Sequence, residues 1–152
     1  TSIWDFVHND HYIFAGNVGG ELLVIDKQAM QIQQSISSGK QNLKSVLLTD
    51  RYLFTASQNK QLLIRDRTSL EIVQSIRNAH KRMFELSKAD ADSVFTISHP
   101  CGEIKCWDVA SGQCQETYTF PRGLSGETHW EGSRLYLLSR NINGLVYYDW
   151  PQ

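Results

Sequence analysis

The chain of 152 residues is 41% apolar and 20% charged, a composition that is typical of a folded domain with its own core and excludes a disordered protein. Its 15 basic residues nearly balance its 16 acidic ones, so the net charge gives no sign of nucleic-acid binding. No apolar run reaches the roughly 20 residues of a membrane span. We therefore expect neither a nucleic acid nor a membrane as partner.

The cysteines indicate a reducing environment. Cys101, Cys106 and Cys114 are odd in number and have no CxxC spacing, which argues against both a disulfide framework and a zinc site. We expect an intracellular protein, in the cytoplasm or the nucleus. Because the sequence begins at Thr1 and not at a methionine, we also expect it to have been excised from a longer one.

The sequence repeats four times with a period near 40 residues. Aspartates that close a run of apolar residues mark the period, at spacings of 40, 42 and 41: Asp26, Asp66, Asp108 and Asp149. Upstream aromatic residues recur at nearly the same spacings, 40, 41 and 41: Phe14, Phe54, Phe95 and Tyr136. The units cover residues 2–36, 43–76, 83–119 and 128–149. Such a period, with several short strands in each unit, predicts a β-propeller.

The second unit shows the strands most clearly, at 43–48, 51–57, 61–65 and 71–76. Short polar residues that favour turns separate them. The second and third strands are apolar with little alternation, which indicates that both of their faces are covered by neighbouring blades. The fourth strands mix polar and apolar residues, as expected at an outer rim.

The last unit ends after its third strand, so it lacks an outer strand. We predict an all-β protein of about four four-stranded antiparallel propeller blades, the last one lacking its outer strand. We expect these blades to be part of a larger propeller. The alternatives are a partial ring completed by a second chain and a self-closed ring of four blades.

The third unit contains His80, Ser98 and the pair Trp107-Asp108. On these residues the chain resembles the WD-repeat propeller family, which places a His before the first strand, a Ser or Thr in the second and Trp-Asp at the end of the third. The resemblance implies a buried hydrogen-bond network containing His80, Ser98 and Trp107. Where the family has a further aspartate, this unit has Cys101. The resemblance also implies a scaffold for protein–protein interaction.

Catalytic and metal-binding motifs are missing from the sequence. It contains no Gly-x-Ser-x-Gly elbow, no HExxH and no phosphate-binding glycine loop. His8 and His11 are three residues apart, but the repeat places them on either side of a turn and not on one helical face. We expect no enzyme activity, no cofactor and no metal.

Acidic and basic residues fall in different sets of turns. In a propeller, turns after the first and third strands lie on one face, and turns after the second and fourth strands lie on the other. The first set contains aspartates, at Asp10, Asp26, Asp50, Asp66, Asp90, Asp92, Asp108 and Asp149. The second set contains Lys40, Lys60, Arg77, Lys81, Arg82 and Arg122, with Glu21, Glu103 and Glu127. Because Asp is also a common turn residue, the basic set is the more informative of the two.

Two functions follow as hypotheses. In the first, the basic face binds an acidic or phosphorylated segment of a protein partner, since arginine forks suit phosphate and carboxylate. The residues expected to bind it are Lys60, Arg77, Lys81, Arg82 and Arg122. In the second, the chain is an assembly module that completes a ring or an oligomer through an open strand edge at 145–148, helped by exposed Trp130 and Trp150.

Overall fold

The computed structural model describes residues 2–120, 124–139 and 144–150, and within these ranges the chain is built of short β-strands joined by turns. The first eight strands are β1 (Ile3–His8), β2 (Tyr12–Asn17), β3 (Glu21–Asp26), β4 (Gln31–Ser37), β5 (Leu43–Leu48), β6 (Tyr52–Ser57), β7 (Leu62–Asp66) and β8 (Ile72–Ile76). The others are β9 (Glu85–Ala89), β10 (Ser93–Ser98), β11 (Glu103–Asp108), β12 (Cys114–Thr119), β13 (Leu124–Glu131), β14 (Arg134–Ser139) and β15 (Gly144–Asp149).

The strands pair in four antiparallel sheets, here called blades 1 to 4. Blades 1, 2 and 3 each contain four consecutive strands, β1–β4, β5–β8 and β9–β12. Blade 4 contains β13, β14 and β15, so within the described residues it has three strands and β15 is its outer edge. The predicted fold class, propeller blades with an incomplete last blade, is confirmed.

The core lies in the joints between successive blades. We call the face of a blade that is turned toward the next blade along the chain its forward face, and the opposite one its back face. The joint of blades 1 and 2 packs Phe14, Leu22 and Val24 against Leu43, Val46 and Leu53. The joint of blades 2 and 3 packs Phe54, Ala56, Leu62 and Ile64 against Ala79, Phe84, Val94, Trp107 and Val109. The joint of blades 3 and 4 packs Phe95, Ile97, Ile104 and Cys106 against Leu124, Leu135, Leu137 and Trp150.

These joints explain why the middle strands are apolar without alternation. In β6, Leu53 packs on the blade 1 side and Phe54 on the blade 3 side, and both are fully buried. Successive side chains of a strand point to opposite faces, so a strand with a blade on each side is buried at every position. Burial of each large apolar side chain contributes about 1.5–3 kcal/mol.

The outer strands are exposed to solvent, as their mixture of polar and apolar residues predicts. In β4 and β8 most side chains are exposed, including Ile32 and Ile72. Only one or two positions in each of these strands are half-buried. The blades therefore obtain little of their stability from the rim.

The two tryptophans that were expected to be exposed are not. Trp150 is only 8% exposed and packs edge-on against Phe95, with ring centroids 5.0 Å apart. Its backbone N–H donates to the carbonyl of Ser133, which turns the indole into the joint of blades 3 and 4. Trp130 is half-buried, and its Nε1–H donates to Ser87 Oγ at 2.7 Å. The prediction of an exposed aromatic pair was wrong because both rings belong to this joint.

In the part of the chain that the structure describes, no helix has the length and apolarity needed to cross a membrane.

Candidate partner-binding site

Each blade places its loops on two opposite faces. Backbone hydrogen bonds join the turn between the second and third strands to the loop after the fourth strand, as from Ala79 N to Lys60 O at 3.0 Å in blade 2. Equivalent bonds run from Ser38 N to Gly20 O in blade 1 and from Phe120 N to Gly102 O in blade 3. The face on which these loops meet is here called the basic face, and the opposite one the acidic face.

The basic face carries a group of cations around the loop between blades 2 and 3. Arg77, Lys81 and Arg82 are exposed on that loop, and Lys60 is half-buried in the adjoining turn, where its φ is +67°. The Ala79–Lys60 hydrogen bond brings the turn and the loop together. Among the described residues, none of these four cations has a carboxylate within 4.0 Å. Their charges are therefore available to an incoming anion.

A shallow cavity opens in this group. It has a volume of about 260 Å³ and is lined by Asn59, Gln61, Arg77 and Asn78. Amide side chains donate and accept hydrogen bonds, and the guanidinium of Arg77 adds a charged donor fork. This combination suits a phosphate or a carboxylate. Arg122, the fifth expected residue of the site, lies outside the described residues.

A buried hydrogen-bond network lies beneath the loop. Trp107 Nε1–H donates to Thr96 Oγ1 at 2.8 Å, and Thr96 Oγ1 lies 2.7 Å from His80 Nε2. All three residues are at most 6% exposed. The indole can only donate, so the threonine hydroxyl accepts from it. The same hydroxyl makes a second hydrogen bond with His80 Nε2, whose direction is set by the tautomer of the ring.

The hydroxyl in this network is that of Thr96, and the expected assignment to Ser98 was wrong. Ser98 Oγ instead donates to the backbone carbonyl of Met83 at 3.0 Å. Thr96 and Ser98 are two residues apart in β10 and share a face, so both satisfy the same sequence pattern. In the register of β10 against β11, Thr96 lies opposite Lys105, which is two residues from Trp107 and on the same face of the sheet. Ser98 lies opposite Glu103, which is four residues from Trp107 and so farther from the indole.

Burial keeps His80 neutral. Burial, with a smaller contribution from the nearby Lys105 ammonium, lowers the pKa of His80 to about 3. Glu103 Oε2 lies 3.7 Å from His80 Nδ1, a separation at which a carboxylate would favour the imidazolium. The desolvation of a ring that is 1% exposed outweighs this attraction, so we treat the contact as a neutral His–carboxylate approach and not as an ion pair.

The same region fixes the loop on both sides of His80. Lys105 Nζ donates to the carbonyl of Ala79 at 2.9 Å, and Ser98 Oγ holds the carbonyl of Met83. The exposed cations between these two anchor points are thus displayed by a backbone that is tied to blade 3. A loop that is already ordered loses less conformational entropy when a ligand binds.

The acidic face uses its aspartates in turns. Asp66 Oδ1 accepts from the backbone N–H groups of Thr68 and Ser69, and Asp108 Oδ1 accepts from Ser111. These bonds lower the pKa of both carboxyls. A cavity of about 700 Å³ lies on this face between Asn9, Asp10, Thr49, Asp50 and Arg67, and the Arg67 guanidinium donates to the carbonyl of Thr49. The turn role of the aspartates, noted from sequence as the simpler explanation, accounts for these contacts.

The described residues contain no cluster of three or more His, Cys, Asp and Glu side chains that could hold a metal ion. His8 Nδ1 lies 3.4 Å from the carbonyl of Asn9, and His11 packs beside the ring of Tyr12. Among the described residues, neither His8 nor His11 has a carboxylate within 4.0 Å.

Sequence reasoning missed Thr96 and Glu103 as neighbours of His80. The register of β10 against β11 places Val94 opposite Trp107 and Thr96 one step along the same face. A search for any hydroxyl on the face of β10 that carries Val94 would have returned both Thr96 and Ser98. Only the position of the histidine ring decides between them.

Comparison with known proteins agrees with the architecture. No protein-family model matches the sequence, and no curated protein matches it. The crystal structure of the computationally designed Ika4 protein superposes with a TM-score of 0.83 at 12% identity, over 99% of this chain and 92% of that one.

Two further solved structures are similar. The computationally designed Ika8 protein has a TM-score of 0.81 at 12% identity, over 98% of this chain and 46% of that one. U3-55K has a TM-score of 0.73 at 14% identity, over 99% of this chain and 53% of that one. The chain thus spans about half the length of these two. At such identities the likeness concerns the fold alone, and the fold is that of β-propeller blades.

Proposed function

We propose that this chain is a protein-interaction module whose basic face binds an acidic or phosphorylated segment of a partner protein. The observation that supports it is the group formed by Lys60, Arg77, Lys81 and Arg82, which has no carboxylate partner among the described residues and is displayed on an anchored loop. We include Arg122 in the site because the sequence repeat assigns it to a turn of the same face.

The chemistry of the group favours an anion with several oxygens. Arginine forks bind phosphate or carboxylate through two parallel hydrogen bonds, and such charge-assisted bonds contribute about 1.5–3 kcal/mol each. The cavity beside Arg77 adds amide donors from Asn59 and Asn78. An acidic segment that crosses the loop could therefore place one anionic group at the cavity and others along Lys81 and Arg82.

We also propose that the chain is a divergent WD-repeat propeller segment that acts as a scaffold inside the cell. The His80–Thr96–Trp107 network supports this assignment, because it has the His, hydroxyl and Trp members by which that family is recognised. The three cysteines are free thiols, which suits a reducing compartment. We propose no catalytic role.

The test uses synthetic peptides rich in phosphoserine or glutamate, with binding measured by fluorescence anisotropy. The triple variant Arg77→Glu/Lys81→Glu/Arg82→Glu should weaken binding about 100-fold, which corresponds to about 2.7 kcal/mol. Binding by the wild type should also weaken as salt rises, since the charges are exposed. An unchanged affinity in the triple variant would contradict the site.

A matched control changes the same charge on the other face. Arg51 is exposed in a turn of the acidic face. Arg51→Glu changes the net charge of the protein by the same amount as the single variant Arg82→Glu. We expect Arg82→Glu to lower the affinity and Arg51→Glu to leave it within twofold. Equal losses in the two variants would mean that the net charge governs binding, and the site would then be wrong.

The edge of blade 4 supports a second candidate function, assembly by strand addition. β15 pairs with β14 on one side, whereas the third strands of the other blades are paired on both sides. An unpaired strand edge is a template for an added strand. In the β14–β15 pair the N–H of Trp150 points inward to Ser133, so by alternation the N–H of Leu145 points to the open side of β15. Leu145→Pro, which removes this donor, should therefore abolish such assembly while peptide binding at the basic face stays intact. Assembly that survives this change would contradict the edge as the joint.

A further inference from the structure

Lys60 has a backbone conformation that the equivalent turns of blades 1 and 3 give to glycine. Its φ is +67°, and the residues at the same position of the repeat are Gly20, with φ +80°, and Gly102, with φ +64°. The carbonyl of each of these three residues accepts a backbone hydrogen bond from the loop after the fourth strand. Glycine adopts this left-handed conformation freely, whereas a residue with a Cβ is strained in it. Blade 2 thus has a lysine where glycine suits the turn better, and strain of this kind is concentrated at functional sites.

The residue after this position is a glutamate in blades 1 and 3, Glu21 and Glu103. Glu21 Oε1 accepts a hydrogen bond from the hydroxyl of Ser35 on the outer strand, at 3.0 Å. In blade 2 the residue is Gln61, and its Nε2 donates to Ser75, the equivalent serine of that blade, also at 3.0 Å. Gln61 therefore keeps the contact with the outer strand but has no negative charge.

A cation replaces a hydroxyl residue on the facing strand. The residue that pairs with the glutamate is Ser37 in blade 1 and Thr119 in blade 3. In blade 2 this place belongs to Arg77, one residue beyond the pair of Leu62 and Ile76. At these three positions blades 1 and 3 each have one negative charge, whereas blade 2 has two positive charges and no negative one. All three differences make blade 2 more favourable to an anion.

The replaced positions surround the cavity of about 260 Å³ on the basic face, which is lined by Asn59, Gln61, Arg77 and Asn78. Asn59 Oδ1 accepts from the hydroxyl of Ser57 and from the backbone N–H of Gln61, so the Nδ2 amine of Asn59 is left to donate to a ligand. Arg77 is exposed, and among the described residues it has no carboxylate within 4.0 Å. The side chain of Lys60 begins at the edge of the cavity, between two of the lining residues. The cavity therefore combines positive charge with amide donors.

We propose that this cavity binds the phosphate of a phosphoserine or phosphothreonine in the partner segment, held by Lys60, Arg77 and the amide of Asn59. The inference rests on the proposed function and names the ligand of one part of that site, while Lys81 and Arg82 bind acidic residues that flank the phosphate. A phosphate monoester carries nearly two negative charges at neutral pH and three strong acceptor oxygens, so it matches two cations and an amide donor. A carboxylate has one charge and two oxygens and leaves part of this site unused. Because the cavity is shallow, the short side chains of serine and threonine suffice to reach it.

The test compares two acidic peptides that differ at one central position, which is phosphoserine in the first and glutamate in the second, by fluorescence anisotropy. The wild type should bind the phosphoserine peptide about tenfold more tightly. The double variant Lys60→Gly/Arg77→Ser has the residues of blade 1 at both positions and should bind the two peptides with affinities that agree within about twofold. Its melting temperature should not fall, because glycine relieves the strained backbone at position 60 and Arg77 is exposed.

Lys81→Ser/Arg82→Ser is the matched control, since it removes two positive charges from the other part of the basic face. This variant should bind both peptides more weakly and keep the preference for phosphoserine.

The outcomes separate the phosphate site from the proposed function. Equal affinities of the wild type for the two peptides would overturn the phosphate site and leave the basic face as a site for acidic segments. A preference that survives Lys60→Gly/Arg77→Ser and is lost in Lys81→Ser/Arg82→Ser would place the phosphate on the loop and would also overturn the assignment. If the wild type bound neither peptide, the proposed function would fail together with this inference.

Discussion

The buried network beneath the basic loop can be tested by removing its central hydroxyl. Thr96→Val keeps the shape of the side chain and deletes Oγ1, which pairs with Trp107 Nε1 and His80 Nε2 at 2.8 and 2.7 Å. Both partners are then buried without a hydrogen bond. Each such group costs about 1–3 kcal/mol, so we expect the free energy of unfolding to fall by about 2–6 kcal/mol.

The chain contains its own control for this substitution. Thr55 holds the position of Thr96 in blade 2 and is 1% exposed, and among the described residues its Oγ1 has no hydrogen-bond partner. Thr55→Val therefore removes an unsatisfied buried hydroxyl, and we expect stability to be unchanged or to rise by up to about 1 kcal/mol. The same change at equivalent positions should thus act in opposite directions.

Urea unfolding followed by tryptophan fluorescence and circular dichroism measures the effect. Ser98→Ala should cost only about 1 kcal/mol, since it breaks one hydrogen bond to the carbonyl of Met83. The reasoning would be refuted if Ser98→Ala destabilised the protein more than Thr96→Val, or if Thr96→Val and Thr55→Val had the same effect. Either result would mean that the network does not run through Thr96.

Two further predictions concern His80 and Gly20. Folding lowers the pKa of His80 from 6.5 to about 3, so between these pH values the unfolded chain binds a proton that the folded chain does not. The free energy of unfolding should therefore rise with pH across this window and reach a plateau above pH 6.5. In urea titrations His80→Gln should show a smaller pH dependence than the wild type. Gly20 has φ +80°, and a Cβ there would lie 2.2 Å from the Gly39 carbonyl oxygen. Gly20→Ala should thus lower the melting temperature much more than Gly132→Ala, whose Cβ would meet nothing within 4 Å.

Much of the architecture could be predicted from the sequence because the repeat is local. Each unit encodes its own strands and turns, and aspartates such as Asp66 and Asp108 make the same turn hydrogen bonds in successive units. Strand pairing in a blade joins consecutive strands, so the order of the sheet follows from the order of the sequence. The predicted fold class needed no long-range information.

The members of the candidate site could be predicted only in part. Loop position alone assigns Arg77, Lys81 and Arg82 to one face, but the anchoring of that loop depends on contacts between blades. Thr96 and Ser98 have the same chemistry and share a face, so the pattern of β10 cannot choose between them. The position of His80, which enters from the preceding loop, makes the choice.

The sequence by itself determined the repeat, the strands and the sorting of charges between loops, because these depend on residues that are near one another in the chain. Tertiary structure alone decided which apolar side chains are covered. Phe6 and Val46 hold the same position in their units, yet Val46 is 3% exposed and Phe6 is 59% exposed. The two units have the same kind of apolar pattern, and burial at this position depends on whether another blade lies against it.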